Sequence, residues 1–400
     1  MASDGMRHQP ESASFALQKI NPIRPVCAGL YCIITLMPAP SLQLDQLRRH
    51  AVARSLFAPT TLPKALQRLG FVQADPLRAP ARAQDLTLRH RVAGYRVGDL
   101  QARYPDLAVE EDFFVNYGFV RRDVHHLMHP RTTRIGWSAN RMKQAAEVLA
   151  FVRDRGVVRP AEVDAHFDHG TVTNWFGGNS RASTQLLDGM HYRGLLRVVR
   201  REAGQRLYAV REQRPRVLSD DEAMDALVDV IVAKYAPLPA PSLGQLVGLL
   251  LGGGVPQWRG QRQALLLRAR TRLPGAVVDG VTWFWPEGEN PASRRHAVDE
   301  QVRFLAPFDP VVWDRRRFEL LWGWSYRFEA YTPAAKRVRG HYALPLLWRD
   351  QVIGWANLSV KGGVLTPDVG YVASAPHDKA FAPALDEELQ RMAVFLGLTP

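Results

Sequence analysis

A chain of 400 residues exceeds what one hydrophobic core usually organises, so roughly two to four domains are expected. Its 52 Lys and Arg stand against 39 Asp and Glu, a net charge of +13, and a hydrophobic content of 46% excludes a solvated basic tail as the source of that charge. The excess therefore sits on a folded protein and reads as a phosphate footprint, with nucleic acid as the expected partner and a membrane surface or an acidic protein as the alternatives.

Residues 1–40 read as an N-terminal extension that is disordered or untranslated. They hold both cysteines, Cys27 and Cys32, which leaves no disulfide framework and no Cys-based zinc site. The apolar run over 26–37 is about twelve residues, too short to span a bilayer, and it follows a long polar leader for a signal peptide. A signal or anchor role is the alternative. Met37 precedes Pro-Ala-Pro-Ser and a good helix, so translation starting at Met37 fits the pattern.

A first unit is expected over 41–136. Ser41 is its N-cap, a helix covers 42–57, Thr61 caps a second helix at 63–69, and Gly70 stops it. An extended segment carries Gln73, and further helices are expected at 97–104 and 110–116. The second unit, 137–216, opens with a long helix at 138–155 and a short one at 159–167 with an acidic first turn. Leu186, Leu187, Met190, Leu195 and Leu196 then form an apolar stripe that Gly194 ends. Strands at 196–201 and 205–211 make a hairpin about Ala203-Gly204. Helix, short helix, longer helix and two-stranded wing is the order of a winged helix, and this wing carries Arg197, Arg200, Arg201, Arg206 and Arg211. A wing that grips backbone phosphate is the functional reading; a spacer or protein-contact module is the other.

A similar third unit spans 217–300, with helices at 221–235 and 257–271, a Pro-rich connector at 236–241, and strands at 276–278 and 282–285. Over 301–400 aromatic and β-branched residues alternate between turns at 348–351 and 361–363. A small antiparallel β barrel closed by a helix at 385–396 is the expectation. The fold class is thus α+β: three tandem winged-helix units followed by a C-terminal antiparallel β barrel.

Within this frame Gln73-Ala74-Asp75 sets an amide and a carboxylate two residues apart, on one face if the segment is extended. Such a pair suits water attack at an electron-poor carbon, with Asp75 stabilising positive charge or taking a proton while Gln73 orients the water. A strand-end pair capping a loop is the plainer reading. Arg78 and Arg82 follow at a spacing that fits phosphate contacts or a solvated loop. Arg dominates Lys throughout, as bidentate phosphate contacts or a GC-rich genome would each produce. His125, His126 and His129 cluster behind Arg121 and Arg122; no carboxylate or thiol completes a metal set in the sequence, so DNA contact or helix termination is preferred to metal binding. Asp309-Pro310 reads as a turn and Asp314 as the cap of a helix at 315–322, with Arg315, Arg316 and Arg317 as candidate DNA contacts. Lys336, Arg337 and Arg339 form a basic edge.

Several separated motifs, in order, resemble one family. Leu69-Gly-Phe-Val-Gln-Ala-Asp75, Pro307-Phe-Asp-Pro-Val-Val-Trp-Asp-Arg315, Tyr326-Arg-Phe-Glu-Ala-Tyr-Thr-Pro333, Lys336-Arg337 and Tyr342-Ala-Leu-Pro345 are similar to the winged-helix DNA glycosylases of the YcaQ/AlkX and AlkZ type, over roughly residues 41–360. The resemblance implies three tandem winged-helix units with a β barrel, and excision of alkylated bases. The AlkZ branch carries Gln-x-Gln, and the YcaQ branch Gln-x-Asp with a wider range of N7-alkylguanine crosslinks. Gln73-Ala74-Asp75 matches the second. Departures lie at Asn174-Trp-Phe-Gly-Gly-Asn-Ser-Arg181, where Arg181 would take the place of the family's lysine contact, at Arg339-Gly-His-Tyr342, and near Ser359-Val-Lys-Gly-Gly363. These bear on substrate preference.

The resulting expectation is a monofunctional DNA glycosylase for N7-alkylated purines and interstrand crosslinks. Gln73 and Asp75 are catalytic. Arg78, Arg82, Arg121, Arg122, Arg181, Arg200, Arg201, Arg206, Arg315, Lys336 and Arg337 contact DNA. No metal or cofactor is required, the partner is double-stranded DNA carrying alkylated or crosslinked purines, and the protein is a cytoplasmic, nucleoid-associated monomer without membrane contact. The rival from another class is a non-enzymatic winged-helix regulator that binds DNA.

Overall fold

The computed structural model describes residues 42–132, 136–167, 170–173 and 179–398. The expected extension at 1–40, the Ser41 cap and residues 174–178 of the Trp-containing run lie outside them. Among the described residues no helix is long and apolar enough to cross a membrane.

The chain starts with helices Leu44–Ser55 and Leu62–Leu69. The second buries Leu62, Ala65, Leu66 and Leu69 on one stripe and ends at Gly70, whose N–H reaches the Leu66 carbonyl at 2.9 Å. Glycine is required there twice over: φ is +68°, and a Cβ would lie 2.7 Å from Val230 Cγ1. The stop throws the chain straight into strand Phe71–Gln73, which pairs antiparallel with Tyr117–Arg121 so that Gln73 faces Gly118. A Cβ on Gly118 would come within 2.3 Å of the Val72 carbonyl and 2.9 Å of Gln73 Cα, so this glycine lets the two backbones meet at the motif.

Tyr117–Arg121 is the middle strand of three, and its other neighbour is Val109–Phe113. The helix expected at 110–116 is therefore a strand. Its carboxylates are tied to side chains far along the chain, and that pairing overrides the low strand propensity of Glu and Asp.

Helix Ala139–Arg155 is capped by the Ser138 hydroxyl, which accepts from Arg141 N–H at 3.2 Å. Helices Pro160–Phe167 and Ala182–Tyr192 follow, then the hairpin Leu196–Glu202 and Gln205–Val210, turning through Ala203 and Gly204 with positive φ. Helix Asp220–Tyr235 starts at a capping box of Ser219 and Glu222. The segment expected only as a connector at 236–241 holds the short strand Leu238–Pro239 and opens helix Ala240–Leu249; helix Arg262–Arg272 comes next. Leu238–Pro239 joins Val281–Phe284 and Gly275–Val278 in a small antiparallel sheet.

The closed C-terminal β barrel is overturned. Strands Val302–Phe304, Leu344–Trp348, Gln351–Lys361 and Val364–Tyr371 pair in that order as an open four-stranded sheet, a half-barrel whose first and last strands do not meet. Closure fails for visible reasons. The first strand has three residues against eight in the last. Its outer edge is already taken: Phe304 N–H donates to Glu388 at 2.9 Å, His90 Nε2 bonds the Phe304 carbonyl at 2.9 Å, and Arg391 donates to the Val302 carbonyl at 3.0 Å. Glu388 and Arg391 lie on the final helix, Phe381–Leu396, which covers that edge. At the far side Pro367 interrupts the donors of the last strand. The architecture is a mixed α+β fold of helical bundles with small antiparallel sheets and this half-barrel. One hydrophobic cluster contains residues from Phe57 to Phe395, so the core is shared along the chain.

Candidate active site

Gln73 is 9% exposed, and its Oε1 accepts a hydrogen bond from Trp313 Nε1 at 2.7 Å. An indole nitrogen only donates, so the amide oxygen is the atom facing Trp313 and the amide nitrogen is turned the other way. Trp313 is held in turn. Its ring lies against Tyr235 with centroids 5.2 Å apart, and its backbone N–H donates to the Asp309 carbonyl at 2.8 Å. Asp309 is fully buried and grips Arg91, also fully buried, through Nη1–Oδ2 at 2.7 Å and Nη2–Oδ1 at 3.0 Å. Arg91 also donates to the Ser55 and Thr87 carbonyls, at 2.8 and 2.6 Å. A chain of contacts thus runs from Arg91 through Asp309 and Trp313 to the Gln73 amide. Asp309 is an anchor within it and faces no solvent.

Asp75 is differently placed. It is half-buried; its Oδ1 accepts the Leu77 N–H at 2.9 Å, and its own N–H donates to Gln84 Oε1 at 3.3 Å. Burial pushes its carboxyl above the usual Asp value, and the Leu77 N–H only partly offsets this. No Lys, Arg or His is salt-bridged to it among the described residues, although arginines are abundant. Ala74 between the two packs against the hydrophobic core.

The other expected site residues divide into three sets. Arg78 and Lys336 are exposed, and Arg82 leaves its Nε without a partner among the described residues. Arg337 is partly buried and donates to the Thr332 carbonyl at 2.8 Å. A larger set is paired within the protein: Arg121 with Asp123, Arg122 with Glu110 at 2.9 Å, Arg181 with Asp164 at 3.1 Å, Arg200 with Glu202 at 2.8 Å, Arg201 with Glu111, and Arg206 with Asp188 at 2.8 Å. Arg315 turns inward, donating to the Val312 and Pro307 carbonyls at 2.6 and 2.9 Å beneath the Tyr326 ring. Arg317 is fully buried, and only Arg316 of that triplet is exposed.

Strand Val109–Phe113 organises much of this pairing. Glu110 receives Arg122 and Arg197, and Glu111 receives Arg201, so hairpin Leu196–Glu202 is fastened to the sheet that carries the motif. Sequence reading missed this clamp, since three adjacent acids in a basic chain were the only signal for it.

A family description, DNA glycosylase AlkZ-like, matches residues 66–395. The chain belongs to the AlkZ-like family. Among solved structures it is similar to Streptomyces sahachiroi DNA glycosylase AlkZ, at 15% identity over 90% of this chain and 98% of that one, with a TM-score of 0.59. At that identity the likeness concerns the fold.

One group in this AlkZ-like chain has the composition of a metal site. Asp112, His125 and His129 are buried with their ligand atoms within 4.8 Å of one another. The carboxylate that the sequence did not supply comes from the strand first read as a helix. Asp112 Oδ2 meets His125 and His129 Nε2 at 2.9 and 3.2 Å, while Oδ1 takes Arg131 Nη1 at 3.1 Å. Burial pushes Asp112 up, but Arg131 and the two imidazoles hold it well below the usual carboxylate range; burial holds His129 near pKa 3, hence neutral. Arg131 already balances the carboxylate, so a dication would bring two uncompensated charges into a closed site.

Trp313→Phe removes the donor that fixes the Gln73 amide and keeps most of the ring packing. Base excision in single turnover is expected to fall roughly tenfold, with duplex affinity changed less than about twofold. An unchanged rate would show that the Trp313 bond does not orient Gln73 for the reaction.

Proposed function

We propose that this AlkZ-like protein is a monofunctional DNA glycosylase, acting as a monomer on double-stranded DNA, that hydrolyses the N-glycosidic bond of N7-alkylated purines and unhooks interstrand crosslinks made through them. The observation that carries the proposal is the contrast at Asp75: a half-buried carboxylate with no salt-bridged cation among the described residues, in a chain of charge +13, beside an amide whose oxygen is pinned to Trp313. A carboxylate kept free of counter-ions is disposed to meet positive charge supplied by a substrate.

An N7-alkylguanine is already cationic, so its departure needs little acid assistance and mainly needs support for an oxocarbenium-like sugar. As the C1′–N9 bond breaks, its electron pair enters the purine and cancels the ring charge. Asp75 faces the positive charge that appears on the sugar. The Gln73 amide N–H, directed away from Trp313, donates to the incoming water; the water oxygen bonds C1′, and its proton passes to Asp75. The products are a neutral alkylated base and an abasic site. A crosslinked guanine is tethered to the opposite strand and cannot leave the helix entirely, so such a site must engage the bond near the duplex. The exposed Arg78 and Lys336 are the simplest phosphate contacts, and the paired arginines reach phosphate by exchanging a carboxylate for it.

The test is product analysis on a duplex with one nitrogen-mustard crosslink between guanines. Unhooking with both strands intact is expected, with breakage only after alkali, no covalent trapping by borohydride and no effect of EDTA. A borohydride-trapped adduct would assign the reaction to an amine, and EDTA-sensitive strand cleavage would assign it to a metal at Asp112, His125 and His129.

A further inference from the structure

The segment between helix Arg315–Trp322 and strand Leu344–Trp348 presents an aromatic ring that none of the foregoing chemistry uses. Tyr331 is 78% exposed, and Val338, on the same loop, is 76% exposed. A lone exposed apolar residue needs no explanation, but this loop is closed so as to hold both in place. Glu329, 6% exposed, accepts the Val338 N–H at 3.1 Å and the Arg339 N–H at 2.7 Å, while its carbonyl accepts the Thr332 N–H at 2.9 Å. Arg337 Nε donates across the loop to the Thr332 carbonyl at 2.8 Å, and Asn357 Nδ2 ties the Arg339 carbonyl to strand Gln351–Lys361 at 2.7 Å. The Tyr331 ring meets Phe328 at 76° with centroids 6.0 Å apart, and Phe328 is braced in turn by Phe308 at 5.1 Å. The ring is thus exposed without being loose. Between Ser325 and Tyr342 the only acid is Glu329, and the loop's own N–H groups occupy it. Arg327 and Lys336 are exposed, with no carboxylate partner among the described residues, unlike the paired arginines of the hairpin. A plain phosphate contact has no use for a held aromatic ring, and an apolar protein surface has none for bare cations. A nucleobase with its phosphate uses both.

We propose that Tyr331 is a stacking platform for a nucleobase that has left its place in the duplex stack, with Lys336 taking an adjoining phosphate. This rests on DNA being the partner, as in the reading above, and not on the chemistry at Asp75. A fully paired duplex offers no free base face, so the ring adds little to its binding. Chemistry on a base opens the stack at one step, and the face uncovered there is what the phenol ring covers. Phe328 and the Glu329 clamp hold the ring beforehand, so little conformational entropy is lost when a base docks on it.

The experiment uses the full chain and two duplexes, one fully paired and one carrying a single unpaired 2-aminopurine. The wild type should bind the second more tightly and quench its 2-aminopurine emission. Tyr331→Ala, at an exposed position, should leave the melting temperature unchanged and abolish the quenching. It should weaken binding of the bulged duplex about five- to fiftyfold and change affinity for the paired duplex less than about twofold. Tyr331→Trp should restore both tight binding and quenching. Stacking releases no counterions, so the salt slope of Tyr331→Ala should equal that of the wild type, whereas Lys336→Ala lowers it by about one. Equal affinity and quenching in Tyr331→Ala, or equal losses on the two duplexes, would overturn the assignment. Binding by the wild type with no preference for the unpaired base sinks this inference alone; absence of binding to either duplex sinks it together with the glycosylase reading.

Discussion

Asp75→Asn is expected to reduce single-turnover excision by about 10²–10³ while leaving duplex affinity within a few-fold. The substitution keeps the shape and deletes the charge that faces the sugar; the phosphate-facing arginines are untouched. Folding stability should not fall. Burial raises the Asp75 carboxyl above its ordinary 3.8, so the folded state disfavours the ionised form, and a neutral amide removes that penalty. The sign for pH follows from the same shift. The folded protein gains stability from protonating Asp75 below its raised pKa, whereas excision needs the anion, so the rate drops as pH falls through a value above 3.8. Rate and stability should thus move in opposite directions across that window. Undiminished excision by the variant would remove Asp75 from the chemistry.

Asp309→Ala should be the most damaging single change to the fold. It strands the Arg91 guanidinium, fully buried and bound only to two carbonyls once the carboxylate is gone. Removing one partner of a buried pair typically costs about 3–5 kcal/mol, to be read from the urea midpoint at constant slope. The loss should extend to catalysis, because the Asp309 turn carries Trp313 and Trp313 holds Gln73. A cost below about 1 kcal/mol would show that solvent reaches Arg91 and that the anchor is dispensable.

Local signals in the chain were readable where the cause is local. Gly70 ends its helix as a positive-φ position must, Ser138 caps the next long helix, and Asp314 accepts the N–H groups of Arg316 and Arg317 at 3.1 Å. What stayed hidden depends on distant partners. The acids at 110–112 look helical or loop-like until Arg122, Arg197, Arg201 and Arg131 are brought to them. Helix Ala240–Leu249 was masked by Pro239 and Pro241, which a helix tolerates in its first turn. Alternation over 344–371 discloses strands but says nothing of closure, which here is prevented by Glu388, Arg391 and His90 occupying an edge. At the site, Gln73 and Asp75 stood out as a pair, while the partner that orients Gln73 lies 240 residues away. For the arginines the sequence shows charge only. Glu111 claims Arg201 and backbone carbonyls claim Arg315, and no composition rule separates these from the exposed Arg78.

The most direct measurement is mass-spectrometric detection of the free base after mixing excess protein with a duplex containing a single 7-methylguanine, with an unmodified duplex alongside. Free 7-methylguanine, released in step with alkali-labile sites and absent from the unmodified duplex, is the predicted result. Tight binding to both duplexes with no released base would contradict the glycosylase account and return the chain to a DNA-binding protein without chemistry.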